Sequence, residues 1–382
     1  MKISVAKISA QANLVFSKIK DNFYLVFILS AALFMRIYSV AVNGIGYTID
    51  SQNYIKQANL LLEGHYSNYF PNGFPLIITF FLPLKNFISL GICIITLNII
   101  LSIITVYFVY KICLDSFTNK YIASIAITIM AIYPNQIKYV HWFLSEVPTA
   151  FFITFSLYLF TKRKHILSGA ALGMTSMIRT TLLPVGFFFG LYLFIKKNTY
   201  VYKYLAFFCL VILAFLTYGY TRTGYITIGQ NAAHNLSITT EYSDTSSFPR
   251  VNLKTLNGSL HDYISFAINN PQDFFSERLE NLWDLWGPMP PWDESWNGRS
   301  EFFWEIGIRF PLLLLAIFGF IISDKNFTSV FSAIAIASIT IVHFLYFADP
   351  RFTYTIEPFA IILASIGIFN LFEKVSKLLK PG

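Results

Sequence analysis

The 382 residues are 55% hydrophobic and 13% charged, with a mean hydropathy of +0.57, which is more apolar surface than one soluble core could hide. A globular cytosolic enzyme is excluded, and the bilayer must be the solvent of an all-α polytopic chain. The formal net charge of +8 would suggest nucleic acid in a soluble protein, but its location along the chain gives it another meaning.

With the N-terminus inside, the segments between apolar runs that fall on that side hold Lys2, Lys7, Lys18, Lys20, Lys111, Lys120, Lys162, Arg163, Lys164, Lys196, Lys197, Lys203, Lys325, Lys374, Lys377 and Lys380. Of the 20 acids only Asp21, Asp115, Asp324 and Glu373 join them, so the basic balance is a topology signal and gives no support to a nucleic-acid partner. The reading is a multi-pass protein of the cell's inner (cytoplasmic) membrane. Cys93, Cys113 and Cys209 sit in apolar runs without metal-type spacing and read as packing residues.

Apolar windows centre on 23–43, 88–110, 121–134, 144–161, 166–178, 182–195, 202–219, 304–322, 328–347 and 354–372, about ten spans. The first follows a basic cytoplasmic segment, 1–22, and at about 20 residues is too long for a signal-peptide core. Arg36 lies inside it, where a guanidinium costs about 2.5–3.5 kcal/mol unless it snorkels or meets a partner, and two readings stand: snorkelling to the outer surface, or orienting acids of the first loop.

That loop, 44–86, opens with Gly44-Ile45-Gly46 and carries Asp50 before an amphipathic helix expected at 51–63, with Tyr54 on it, Glu63 near its end and Gly64 after it. Asp50 is either the N-cap of this helix or a carboxylate with one oxygen free for chemistry. Tyr69-Phe70-Pro71-Asn72-Gly73-Phe74-Pro75 then leads into an apolar run, 74–84, that is too short to span and is expected to be re-entrant or interfacial.

Further along, Pro134 and Pro184 fall near span ends, and Glu146 begins a span in His141-Trp142-Phe143-Leu144-Ser145-Glu146, where an acid must be wet or paired. The 166–195 region reads as a hairpin turning at Arg179-Thr180-Thr181. An outward-facing Arg179 is either snorkelled or placed for a lipid phosphate.

The core of 23–219 gives way to a second outer stretch, 220–303, with Trp283, Trp286, Trp292 and Trp296 among Asp284, Asp293 and Glu294. These indoles form either an interfacial belt or a stacking platform for a sugar ring. Spans over 304–372 follow, with Arg351 and Tyr354 just before the last, and a basic tail, 373–382, that an even span count leaves in the cytoplasm with the N-terminus. His141 and His343 read as polar span-end residues.

The order Arg36, Asp50 with Tyr54 and Ala58, Gly64, Gly73-Phe74-Pro75-Leu76, Pro134, Ser145-Glu146, Gly169–Gly173–Arg179 and Arg351 with Tyr354 resembles the GT-C superfamily of membrane glycosyltransferases. Within it the resemblance is to the bacterial branch related to protein O-mannosyltransferases and the aminoarabinose transferase of lipid A. It implies a GT-C-like fold and an inverting transferase that passes a sugar from a polyprenyl-phosphate donor to an envelope glycan, lipid or protein acceptor on the extracytoplasmic face.

It further implies that Asp50 is the general base or acceptor-orienting acid, that Arg179 and Arg351 touch the donor phosphate, and that Tyr54, Glu146 and Tyr354 belong to the substrate site. Many relatives carry Asp-Glu where this chain has Asp50-Ser51, so Glu63 or Glu146 is the candidate replacement for a second carboxylate. A divalent metal ion is left open by the resemblance and required by nothing in the sequence. Two rivals remain, a polymerase or ligase of lipid-linked glycans, disfavoured by acids that match or outnumber bases in the outer loop, and a transporter or flippase, which would place ionisable groups or broken helices at mid-membrane and show an internal repeat.

Overall fold

Every apolar window of the sequence is a helix in the computed structural model, which describes residues 5–67, 70–224, 226, 260–287 and 300–379, with side chains from residue 23 onward save at 260–262 and 300–307. In chain order the helices are α1 (Val5–Asn43), α2 (Ile49–Leu62), α3 (Gly73–Thr79), α4 (Leu90–Ser116), α5 (Lys120–Ile132), α6 (Pro134–Lys138), α7 (Glu146–Thr161), α8 (His165–Ile178), α9 (Leu183–Ile195) and α10 (Val201–Thr223). After them come α11 (Leu260–Asn269), α12 (Pro271–Trp286), α13 (Ser300–Ile322), α14 (Phe327–Leu345) and α15 (Glu357–Leu378).

Five stretches, Phe23–Asn43, Leu90–Ser116, Val201–Thr223, Phe327–Leu345 and Glu357–Leu378, are long and apolar enough to cross a membrane. The other five apolar stretches, Lys120–Ile132, Glu146–Thr161, His165–Ile178, Thr180–Ile195 and Ile308–Ile322 within α13, are shorter. The 13 residues of α5 reach about 20 Å, some two-thirds of a hydrocarbon core. Pro134 follows the end of α5 and opens α6, because a proline has no N–H to give an interior helical bond and is pre-organised for a first helical position.

That break leaves carbonyls at the end of α5 without helical partners, and Arg36 supplies them. Its side chain is fully buried; its Nη atoms donate to Met130 O (3.3 Å), Ala131 O (3.0 Å) and Ala32 O (3.1 Å), and its Nε to Ser102 Oγ (2.7 Å). Neither sequence reading of Arg36 holds: it neither snorkels nor reaches an acid, but clamps α1, α4 and the frayed end of α5.

Between helices, close backbone approach replaces large side chains. At Gly319 a Cβ would run into Leu363 O where α13 meets α15, and at Gly169 into Tyr204 O where α8 meets α10. The apolar run 74–84 forms α3 and a short 3-10 helix, Leu82–Asn86, instead of a span.

The first loop is fastened by its backbone. Gly46 N donates to His141 O and Phe143 N donates to Gly46 O, both at 2.9 Å, so the entry to α2 lies beside the entry to α7. The helix expected at 51–63 begins two residues earlier, and its cap is Thr48 instead of Asp50. Thr48 and Ser51 close a capping box, and Ser51 Oγ also donates to Phe143 O at 2.7 Å. Tyr54 packs on Phe70 and Phe74, and Gln57 Nε2 donates to Phe70 O (2.8 Å) and Asn72 Oδ1 (2.6 Å), which holds the return strand of the loop on α2.

Candidate functional site

With Thr48 as cap, Asp50 sits in the first turn of α2 with its carboxylate free of capping duty. It meets Arg351, 301 positions away in the chain, whose Nη1 donates to Asp50 Oδ2 at 3.1 Å. Arg351 lies on the 3-10 segment Pro350–Thr355, where Asp349 Oδ1 accepts from Arg351 N (2.8 Å) and Asp349 Oδ2 stands 3.4 Å from Arg351 Nε.

The segment is held from behind by buried polar groups. Arg309 of α13 donates to Leu285 O (3.0 Å) and Pro350 O (3.4 Å). Glu357, fully buried at the start of α15, accepts from Asn135 (2.6 Å), Gln136 (2.8 Å) and Thr353 (3.3 Å). Each unpaired member of such a network would cost about 1–3 kcal/mol, so the network fixes where Arg351 stands.

A second acid–arginine pair faces the first. Glu146 is the first residue of α7, at the positive end of that helix, and its Oε1 is 3.2 Å from Arg179 Nη1. Arg179 caps the end of α8, where a 3-10 turn, Thr180–Leu182, reverses the chain as the hairpin reading expected. The guanidinium of Arg179 lies 4.7 Å from the centroid of Phe352 and that of Arg351 5.3 Å from it, while His343 stacks on the same ring at 4.3 Å. One aromatic ring thus spaces both cations.

The two pairs line a single cavity of about 630 Å³, together with Tyr54, Asn53, Ser145, Thr180, His343 and Tyr346. Burial, then the charges of Glu146 and Asp50, push the Tyr54 hydroxyl up to about 12, so at neutral pH it is a proton-bearing group 3.4 Å from Ser145 Oγ. Burial pulls the Arg351 pKa down, but the carboxylates of Asp349, Glu146 and Asp50 outweigh it and leave the guanidinium above its ordinary value. Glu146 Oε2 and Thr181 Oγ1 are buried at this cavity without a hydrogen-bond partner among the described residues. Among the described residues no three of His, Cys, Asp and Glu are grouped to hold a metal ion, and each cavity carboxylate is held by a guanidinium instead.

Asp50, Tyr54, Glu146, Arg179 and Arg351 are therefore brought together, and the remaining sequence candidates are not. Tyr354 is buried behind the cavity, packed on Tyr139 with ring centroids 5.2 Å apart, because the 3-10 turn that points Arg351 into the cavity sends Tyr354 toward the core. Glu63 is exposed at the far end of α2, about 20 Å along the helix from Asp50, and of the two candidates it is Glu146 that lines the cavity with Asp50.

Trp286 is core, its Nε1 donating to Thr340 Oγ1 at 3.0 Å, and Trp283 is half-exposed away from the cavity. Trp292 and Trp296 lie outside the described residues. Asn53 and His343 were not among the sequence candidates. Asn53 stands one helical step from Asp50, a spacing that could have flagged it; nothing local marks His343, which reaches the cavity through the packing of α14.

No protein-family model matches the chain, and no curated protein sequence matches it. Among solved structures it is similar to the archaeal oligosaccharyltransferase AglB from Archaeoglobus fulgidus, solved in complex with an inhibitory peptide and a dolichol-phosphate. The TM-score is 0.54 at 14% sequence identity, over 93% of this chain and 51% of AglB, so the chain spans about half the length of the structure it matches. The chain thus shares the helical membrane fold of AglB's matching half, and its apolar helices are those of a multi-pass membrane protein.

Proposed function

We propose that the chain is a membrane glycosyltransferase that moves a sugar from a polyprenyl-phosphate donor to an acceptor hydroxyl or amine at the Asp50 cavity, on the extracytoplasmic side by the distribution of its basic residues. The observation that carries the reading is the convergence of two acid–arginine pairs, Asp50 with Arg351 and Glu146 with Arg179, on one cavity at one end of this fold. Within the superfamily, the branch of protein O-mannosyltransferases and lipid A aminoarabinose transfer fits the motif order best.

In such a displacement the acceptor attacks the anomeric carbon with inversion, the acceptor proton goes to Asp50, and the leaving group departs as a polyprenyl phosphate. That leaving group gains negative charge, which is what paired guanidinium groups stabilise. Before the donor enters, Arg351 is engaged by Asp50; a phosphate competing for the same guanidinium frees Asp50 Oδ2 to accept the proton. Glu146 and Tyr54 complete the acceptor side, one accepting and the other donating.

Asp50→Asn in the purified protein, assayed for transfer from a polyprenyl-phosphate-linked sugar in proteoliposomes, is expected to lose about 10²–10⁴-fold in rate. Its melting midpoint in detergent should be unchanged, because Thr48 and not Asp50 caps the helix. Turnover retained in this variant removes Asp50 from the proton-transfer role.

A further inference from the structure

At the end of the bundle opposite Asp50, three turns repeat one construction. Helix α7 ends through Arg163, α9 through Lys197 and α13 through Lys325, each in the left-handed backbone region (φ of 59°, 51° and 43°) that glycine ordinarily fills after a helix. A helix N-terminus follows each basic residue: His165 opens α8, Tyr200 stands before α10, and Asn326 caps α14. The three N-termini line one cavity of about 500 Å³, with Arg163 and Asn198 beside them and Phe160 and Phe327 as apolar wall.

Each helix N-terminus carries about half a positive charge and amides without helical partners, and neither α8 nor α10 has a side-chain cap to neutralise them. His165 is the second, independent pointer. It is 7% exposed, its ring stacks on Tyr200 with centroids 4.2 Å apart, and neither ring nitrogen has a hydrogen-bond partner among the described residues. An imidazole left in that state keeps the desolvation penalty of both nitrogens unless something in the cavity takes its hydrogen bond.

The charge balance favours an anion. Asp115 lines the cavity, but its carboxylate is tied to Lys162 Nζ at 2.7 Å, while Arg163 and Lys203 act electrostatically on His165. Lys325 Nζ is spent on the carbonyls of Phe320, Ile321 and Ser323 at the end of α13, so it adds charge nearby and no contact.

We propose that this second cavity binds a phosphate group, carried by the headgroup of an anionic membrane lipid or free in solution, with His165 and the first amides of α8 donating hydrogen bonds and Arg163 supplying the countercharge. The site is separate from the Asp50 cavity, and nothing in it depends on glycosyl transfer.

The test is the melting midpoint of the full-length protein in mild detergent with two probes, inorganic phosphate against chloride at equal ionic strength, and short-chain phosphatidylglycerol against the diacylglycerol that lacks its phosphate. At least one phosphate-bearing probe is expected to raise the midpoint by several degrees, with binding about tenfold weaker in both Arg163→Glu and His165→Phe and unaltered in Arg351→Gln. His165→Phe keeps the ring stack, and the exposed Arg163 tests the same cavity without touching the core. A response to phosphatidylglycerol alone identifies a lipid headgroup; an equal response to inorganic phosphate identifies the free anion. No response to either probe, responses that survive in both Arg163→Glu and His165→Phe, or a response lost in Arg351→Gln overturns the proposal.

Discussion

At the Asp50 end of the bundle, guanidinium groups turn inward: Arg351 and Arg179 fold onto carboxylates and share the face of Phe352 inside a cavity. At the opposite end, Arg163 and Lys197 stand exposed on tight turns, set in backbone conformations that L-residues enter at a cost of about 1–3 kcal/mol. Charge that sets topology needs only to stay wet on the correct side of the membrane. Charge at the cavity must be desolvated, paired and aimed, which takes segments 301 positions apart in the chain. Arg36 belongs to neither group, since it serves backbone carbonyls and the Ser102 hydroxyl and meets no acid.

That contrast can be broken first at Arg36. Arg36→Met should cost about 2–3 kcal/mol, because it strands the carbonyls of Met130 and Ala131 in the interior, and thermal or denaturant unfolding in detergent measures it. A variant that melts like the parent protein would show the clamp to be dispensable.

Arg351→Gln sharpens the other side. Its side chain is partly exposed and its segment is held by Arg309 and Glu357, so the midpoint should hardly move, while kcat/KM for a polyprenyl-phosphate donor falls about 30-fold, mostly through KM. Loss of stability without loss of donor affinity would place Arg351 among the structural arginines.

Ser51→Ala removes both the capping box and the tie to Phe143, at about 1–2 kcal/mol. Because Asp50 then loses its register against Glu146, kcat should fall with donor KM unchanged; a variant with lower stability and full kcat would show that the cap does not position the acid.

The smallest effect is at Asp284 on α12, whose carboxyl is pushed up from 3.8 to about 6 by burial and by the charges of Glu280 and Asp349. The folded state holds this proton more tightly than the unfolded chain, so its contribution is full below about pH 4 and is lost as the pH rises to about 6. Asp284→Asn should flatten that part of a stability–pH curve; an unchanged slope would assign it to another group.

Much of this architecture is legible in the sequence alone. All ten apolar windows are helices, and the chain reverses at the Arg179-Thr180-Thr181 turn that the hairpin pattern marks. Hydropathy and turn chemistry act over a few residues, so one stretch of sequence contains the whole cause. Five residues of the expected site, Asp50, Tyr54, Glu146, Arg179 and Arg351, do line one cavity. Misplaced were residues whose role depends on partners far along the chain: Tyr354 turns its ring to Tyr139, and Trp286 gives its indole N–H to Thr340.

The sequence by itself determined a membrane-embedded helical chain and an expected topology, with most of its bases and only four of its acids in the segments read as cytoplasmic, because transfer free energy and the positive-inside bias are sums over local composition. Only the tertiary structure decided which polar groups are spent and which are free. Thr48 and Asp50 are both good caps, and Thr48 takes the position because Ser51 must reach Phe143 O; Asp50 is thereby left for Arg351. Hydrogen bonds and ion pairs are short-ranged and saturable, so a partner taken in one place is lost to another, and that competition is settled in three dimensions.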